Sequence, residues 1–133
     1  AGFTHSGPTA KAHYLAAAIA KRHPDKYETW YYFDQYAFFD FTKKKFDNVP
    51  FPPHLKGHAT SPFVWFETGM KNEIEPVGGS DHLSQWALKT FPEDAAIVEL
   101  ANKNFMSIRP YITGASYHCN EGRPVPPATC AHQ

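Results

Sequence analysis

The sequence predicts an α/β domain in which a mixed four-stranded sheet is flanked by helices and followed by an extended C-terminal tail. Short aromatic and apolar runs typical of strands alternate with segments in which apolar residues recur at helical spacing. The chain has 133 residues, 42% of them hydrophobic, so it is long enough for one domain with a real core. One sheet covered by helices on both faces is the economical way to bury these elements.

The first part of the chain contains two predicted helices and one predicted strand. Residues 27–33 are aromatic and β-branched, which predicts the strand. Residues 35–46 predict a Phe-rich second helix, and the three prolines between residues 49 and 53 require a loop. The first helix covers residues 11–23, ends before Pro24 and carries an apolar stripe at helical spacing, formed by Ala12, Leu15, Ala16 and Ile19.

The middle of the chain predicts a further pair of strands. Residues 63–66 are continuously apolar, which is typical of a central strand buried on both faces. Residues 68–72 predict a turn, and residues 73–77 predict the second strand of this pair. Residues 1–4 have the character of a remnant of another short strand. Because the chain begins without a methionine, we expect a segment upstream of this sequence to be missing or removed.

Two more helices and a tail complete the predicted order. Ser80 is a favourable N-cap for a helix that ends before Pro92, and residues 93–105 repeat the helical period. From there the periodicity dissolves into a segment rich in proline. We therefore expect a globular domain over residues 1–106 and an extended Pro-rich C-terminal tail over residues 107–133.

Charge and composition exclude several classes of partner. The chain has 13 basic and 13 acidic residues, so there is no electrostatic case for binding nucleic acid or an anionic membrane. No apolar stretch approaches the ~20 residues of a membrane-spanning helix, so no membrane insertion is expected. Two cysteines do not make a disulfide-rich secreted scaffold, which favours an intracellular location.

Three short motifs occur in the order and at the spacing seen in glutaredoxins. The first opens a helix, the second precedes an apolar strand, and the third forms a turn before another helix: Gly7-Pro8-Thr9-Ala10, Ser61-Pro62 and Gly78-Gly79-Ser80-Asp81. The chain therefore resembles a glutaredoxin-like domain of the thioredoxin fold over roughly residues 1–91. The Cys-Pro-x-Cys motif of that family is matched only at its proline, because its cysteine positions are held by Gly7 and Ala10.

This resemblance implies a glutaredoxin-like fold that has lost its redox chemistry. Thiol–disulfide exchange requires a thiolate, and no sulfur is present in the vestigial redox motif, so we expect a pseudoenzyme. In the family, the positions corresponding to Ser61, Pro62, Gly79, Ser80 and Asp81 bind glutathione. The alternative function is therefore a glutathione-binding or glutathione-dependent redox or transferase enzyme, with glutathione as the one cofactor to consider. Helix capping and turn formation also account for these residues without a ligand.

A second likeness points to a particular setting. The Pro24-Asp25 pair, the run from Ser61 to Trp65 and the Gly-Gly turn resemble the N-terminal domain of the malate dehydrogenase 1B family, which is associated with cilia and sperm flagella. The likeness implies a structural subunit of a larger protein assembly, located in the cytoplasm or in the axoneme of a cilium or flagellum.

The end of the chain carries four side chains that can bind zinc, namely His118, Cys119, Cys130 and His132. Their spacing differs from the usual pairs of zinc ligands, so the metal signal is weak. A Cys119–Cys130 disulfide and two unlinked thiols are the other interpretations of the cysteines.

Aromatic residues are concentrated between positions 30 and 41. Two interpretations stay open, a Phe-rich core or an interface with other protein subunits, where Tyr, Trp and Phe are enriched. The Pro-rich tail would serve such an interface as a docking arm. The residues concerned are Trp30, Tyr31, Tyr32, Phe33, Tyr36, Phe38, Phe39 and Phe41.

Overall fold

The fold is described by a computed structural model, which defines residues 1–55, 61–68 and 73–119. Within these ranges the chain is a mixed α/β protein with four α-helices and two small antiparallel sheets of two strands each. The elements are α1 (Gly7–Arg22), β1 (Tyr31–Asp34), α2 (Phe38–Lys45), β2 (Val64–Thr68), β3 (Glu73–Gly78), α3 (Ser80–Thr90), α4 (Ala95–Asn102) and β4 (Ser116–Cys119). Short 3-10 turns lie at Pro53–Leu55 and Phe105–Ser107.

Helix α1 begins earlier than the predicted start at residue 11. Ser6 is its N-cap, and the Ser6 hydroxyl accepts a hydrogen bond from the Thr9 N–H at 3.4 Å. Pro8 lies in the first turn, where the missing N–H has no helical partner to lose and the ring fixes a helical φ. The helix therefore starts at Gly7, inside the motif that was expected to precede it.

The strands form two separate pairs, where the sequence predicted one mixed four-stranded sheet. Strand β1 pairs with β4, and β2 pairs with β3. Strand β1 covers only the end of the predicted strand over residues 27–33. The predicted turn over residues 68–72 falls largely on residues 69–72, which lie outside the described residues.

The first two residues connect these pairs by backbone hydrogen bonds. On the β1 side, the Gly2 N–H donates to the Tyr32 carbonyl at 3.0 Å, and the Asp34 N–H donates to the Gly2 carbonyl at 2.8 Å. On the other side, the Ala1 amine donates to the Phe63 carbonyl at 2.9 Å, and the Phe63 N–H donates back to Ala1 at 2.8 Å. The link is one parallel bridge, between Gly2 and Phe33, which is too short to form a strand.

Helices pack on both sides of these strands. On one side, α1, α3 and α4 share a buried cluster, against which Val64 of β2 also packs. On the other side, Phe38 and Phe46 from α2 and its C-terminal end pack against Phe63, with Trp65 beside them. The cluster of α1, α3 and α4 consists of Ala12, Leu15, Ile19, Leu83, Ala87, Ile97 and Ala101, so the predicted stripe of α1 largely faces the core.

The segment after α4 differs from the extended tail predicted from residue 107 onward. Ile108 is buried, and β4 adds an edge strand to β1. Within β4, Tyr117 and Cys119 are buried while Ser116 and His118 are exposed, which is the alternation of a strand with one covered face. The remaining tail, residues 120–133, lies outside the described residues.

Candidate functional site

Two of the three sequence motifs meet at the start of α1. The Ser61 hydroxyl accepts a hydrogen bond from the Phe3 N–H at 2.8 Å and lies 3.0 Å from Thr9 Oγ1. A Cβ atom on Gly2 would lie 2.8 Å from Thr9 Oγ1 and 2.9 Å from Ser61 Oγ, so this junction has room only for glycine. The peptide bond between Ser61 and Pro62 is cis.

The segment Gly7–Ala10, which the resemblance predicted to be a vestigial redox motif, is largely buried. Ala10 is fully buried in the core, and Gly7 is covered by two aromatic residues from the C-terminal segment. A Cβ atom on Gly7 would lie 2.9 Å from Phe105 Cδ2 and 3.2 Å from Tyr111 Oη. A cysteine at this position could not be placed without moving Phe105.

Residues 105–114, which we call the C-terminal cover, pack over the start of α1 and form hydrogen bonds with it and with the residues before it. The His5 N–H donates to the Ile112 carbonyl at 2.7 Å, and the His5 ring nitrogen Nε2 lies 3.1 Å from the Gly114 carbonyl. The Tyr14 hydroxyl donates to the Pro110 carbonyl at 2.8 Å. The helix start is therefore covered by this segment, with Phe105 and Tyr111 lying beside Gly7.

The third motif forms the turn between β3 and α3. Gly79 is the N-cap of α3, in place of the predicted Ser80, and its N–H donates to His82 Nδ1 at 3.0 Å. Gly78 has a φ of 126°, a conformation that favours glycine. Ser80 is buried and Asp81 is exposed at the first turn.

The strand register brings the proposed glutathione residues to one end of the β2–β3 hairpin. Val64 pairs with Gly78, so residues 61–62 and 79–81 extend from the same end of these strands. Few of their polar groups are available to a ligand, because the Ser61 hydroxyl is already hydrogen-bonded and Pro62 is buried. The exposed Asp81 carboxylate carries the same charge as the carboxylates of glutathione.

The four metal-ligand candidates are not brought together in the described residues. His118 and Cys119 lie on opposite faces of β4, while Cys130 and His132 fall outside the described ranges. Across residues 1–55, 61–68 and 73–119, no three His, Cys, Asp or Glu side chains form a metal-binding group. Cys119 is disulfide-bonded, and its pairing with Cys130 stays a prediction.

Asp34 is a structural residue that the sequence interpretation missed. Its carboxylate accepts hydrogen bonds from the N–H groups of Tyr36 at 2.9 Å and Ala37 at 2.8 Å, and it lies 3.3 Å from His118 Nε2. Burial acts to raise the pKa of Asp34, but these hydrogen bonds and His118 outweigh it and lower the pKa below its ordinary value. The signal in the sequence was an Asp just before a helix, which is typical of an Asx turn.

Most of the aromatic cluster is used in packing. Tyr32 stacks on Phe41 with ring centroids 3.9 Å apart, and Trp30 contacts Trp65 at 5.3 Å. The remaining members in β1 and α2 pack in two buried clusters, which contain Tyr31, Phe33 and Phe38. The core interpretation therefore accounts for most of these residues, and the interface interpretation applies to two of them, Tyr36 and Phe39.

Two exposed apolar pairs lie beside the start of α1. Tyr36 and Phe39 are 85% and 54% exposed, and Phe105 and Met106 are 40% and 64% exposed. The Phe39 ring packs against Phe3 at 5.3 Å, and Phe105 lies over Gly7 in the C-terminal cover. We call these four residues the exposed apolar pairs.

Comparison of this chain with protein-family models, with curated proteins and with solved structures finds no match. In the described part of the chain, every helix is too short or too polar to cross a lipid bilayer.

Proposed function

We propose that the chain is a non-catalytic, thioredoxin-like module that binds other protein subunits of a larger assembly, such as the axoneme of a cilium or flagellum. The observation that carries the binding role is the presence of the exposed apolar pairs beside a helix start that has no thiol. Exposed aromatic and Met side chains are enriched at protein interfaces, where a few of them supply most of the binding energy.

Two features support the non-catalytic part of this proposal. The positions of the redox cysteines hold Gly7 and Ala10, so no thiolate is available there for exchange. The C-terminal cover lies over the same helix start, and Phe105 would collide with a side chain at Gly7. A substrate disulfide would have neither a nucleophile nor access at this site.

The hydrogen bonds of the first two residues support the thioredoxin-like part. They align β1 in parallel with Gly2 and place Ala1 antiparallel to the residue before β2. The resulting order is β4, β1, residues 1–2, β2 and β3, with helices on both faces. This order is compatible with the mixed four-stranded sheet that the resemblance implies, with β4 as an additional edge strand.

The binding role is tested by removing the exposed apolar pairs. Complexes are isolated with the wild type, with the variant Phe39→Ser/Met106→Ser, and with a control, Glu99→Ser/Lys103→Ser, which changes two exposed residues and keeps the net charge. We expect the same partner proteins with the wild type and the control, and an affinity about 30-fold weaker for the apolar variant, equivalent to a loss of about 2 kcal/mol. Equal recovery with all three proteins would contradict the proposal.

A glutathione-binding enzyme is the second function, because Ser61, Thr9 and the Gly79 turn share one end of the hairpin. Isothermal calorimetry with reduced glutathione, and a transferase assay with a model electrophile, separate the two functions. We expect no binding below about 1 mM, which corresponds to roughly −4 kcal/mol. Tighter binding that is lost in Ser61→Ala would favour the enzyme.

A further inference from the structure

The surface that α1 shares with the C-terminal cover is built from two stretches of chain without acidic residues. None of the 13 Asp and Glu residues lies in residues 1–24 or 100–120, which contain α1 and the cover. Lysine and arginine residues do lie there, among them Lys11 and Arg109. The chain is neutral as a whole, so this segregation of charge makes these two stretches complementary to an anionic partner.

Arg109 is held in a fixed position on the cover. Its Nη1 group donates hydrogen bonds to the Met106 carbonyl at 3.0 Å and to the Ile108 carbonyl at 2.7 Å. Its guanidinium carbon lies 4.3 Å from the centroid of the Tyr111 ring, which is a cation–π contact. The side chain therefore loses little entropy on binding. In the described part of the chain these contacts leave Nε and Nη2 unused, and that edge of the guanidinium matches the two oxygens of a carboxylate.

Lys11 is a second cation on this surface. It shares one face of α1 with Gly7 and Tyr14, because residues three and four positions apart lie on the same side of a helix. Both neighbours contact the cover, since Gly7 lies against Phe105 and the Tyr14 hydroxyl donates to the Pro110 carbonyl. Lys11 therefore lies along the cover, between these two contacts. It is only 7% exposed, and a lysine buried to this extent is normally paired with an anion.

The cover brings the two cations to the same part of α1, because Arg109 directly precedes Pro110. Within residues 1–55, 61–68 and 73–119, neither cation forms an ion pair with a carboxylate. We infer that Arg109 and Lys11 bind a carboxylate of an acidic segment of the partner protein, and that an apolar side chain beside this carboxylate packs on Met106. This inference rests on the proposed function, since it assigns the chemistry of the partner.

The apolar half of this site adjoins its charged half. Phe105 and Met106 are 40% and 64% exposed, and the Met106 carbonyl is one of the groups to which Arg109 donates. A segment in which an Asp or Glu stands next to an apolar residue therefore supplies a group for each half. A nucleic acid fits less well, because its phosphate backbone is bound by a longer series of cations and has no use for exposed apolar side chains.

The first step of the test identifies a ligand without assuming its sequence. A library of random peptides displayed on phage is selected on the immobilised wild-type chain, and we expect the bound peptides to share an Asp or Glu next to an apolar residue. The best of these peptides is then synthesised, and its Kd is measured by fluorescence anisotropy with the wild type, Arg109→Gln, Lys11→Met and Lys103→Gln. The last variant is the control, because it removes an exposed positive charge just before the cover in the sequence.

We expect Arg109→Gln and Lys11→Met each to weaken binding by about 10-fold, and Lys103→Gln to weaken it by less than about 2-fold. Replacing the acidic residue of the peptide by its amide should weaken binding to the wild type by about 10-fold, but binding to Arg109→Gln by less than about 2-fold. This difference separates a direct contact from a structural effect on the cover, because a structural effect would make the amide peptide equally weak with both proteins.

Three outcomes would overturn this inference. The selection could yield no peptides or only peptides without an acidic residue, or the selected peptide could bind Arg109→Gln as tightly as the wild type. A peptide with phosphoserine in place of the acidic residue could also bind more than about 10-fold tighter, which would assign the site to a phosphorylated segment. If Phe39→Ser/Met106→Ser loses its partner proteins while Arg109→Gln keeps its affinity for the peptide, the proposed function stands and this inference fails.

Discussion

The turn between β3 and α3 gives a sharp quantitative test, because Gly78 has no room for a side chain. Its φ of 126° costs other residues about 1–2 kcal/mol. A Cβ atom would also lie 2.4 Å from His82 Nδ1 and 2.9 Å from Leu55 Cδ2, and such crowding costs about 1–3 kcal/mol. We therefore expect Gly78→Ala to lower the free energy of unfolding by about 3 kcal/mol. At ~2.1 cal/mol/K for each of the 133 residues, this lowers the Tm by about 10 °C.

The assay is thermal and urea unfolding followed by circular dichroism, with Gly114→Ala as the matched control. Gly114 also has a positive φ, of 86°, but no described atom lies within 4 Å of its Cβ position. The control therefore measures the backbone cost alone, about 1 kcal/mol, and the difference between the two variants measures the crowding against His82 and Leu55. If Gly78→Ala unfolds within 2–3 °C of Gly114→Ala, a difference of less than about 1 kcal/mol, the described geometry of this turn is refuted.

Three further predictions concern strand β4, an ion pair and the first residue. Tyr117→Ala should cost about 3–5 kcal/mol because Tyr117 is buried, whereas His118→Ala on the exposed face of β4 should cost under about 1 kcal/mol in the same urea titration. The hydrogen bond from Arg22 lowers the pKa of Asp94 below its ordinary value of 3.8. The ionised Asp94 therefore stabilises the fold above pH 3.8, and this stabilisation is lost as the pH falls below that value. Asp94→Asn should make the free energy of unfolding depend less on pH in this acid range. For the chain that begins at Ala1, burial lowers the pKa of the terminal amine from 8.0 in the unfolded chain to about 4 in the folded chain. The free energy of unfolding should therefore rise between pH 4 and pH 8, by up to about 5 kcal/mol, because the unfolded chain binds the proton more tightly. N-terminal acetylation should remove this rise.

Local signals in the sequence predicted most elements but not all of their ends. The apolar stripe of α1 and the apolar run at the start of β2 predicted their elements, although the β2 residues are partly buried and not covered on both faces as expected. The start of α1 was placed too late, although Ser6 and Pro8 carry the signals of an N-cap and a first turn. In the same way, the sequence predicted Ser80 as the N-cap of α3, whereas the N-cap is Gly79. Glycine caps a helix with its backbone and carries no side-chain signal.

The relations between distant segments could not be predicted from local patterns. Strand β4 is four residues long, and it exists because it pairs with β1, far away in the sequence. The prolines and glycines on either side of β4 obscured its short alternation of buried and exposed residues. The meeting of Ser61 with Thr9 likewise joins residues 52 positions apart, so neither the hydrogen bond nor the crowding at Gly2 can be derived from spacing alone.

The glycine at position 7 and the position of the C-terminal cover are physically connected. At Gly7, the absence of a Cβ atom is what allows the Phe105 ring to approach the helix start. Any side chain there, including that of cysteine, would meet the ring at 2.9 Å and the Phe105 carbonyl at 3.3 Å. Gly7, which stands where the proposed glutaredoxin-like fold would have a redox cysteine, is therefore also the residue that admits the C-terminal cover, which includes the exposed Phe105 and Met106. A cysteine introduced at position 7 would have to displace Phe105 before its thiol could react, so this crowding is compatible with the binding role that we propose.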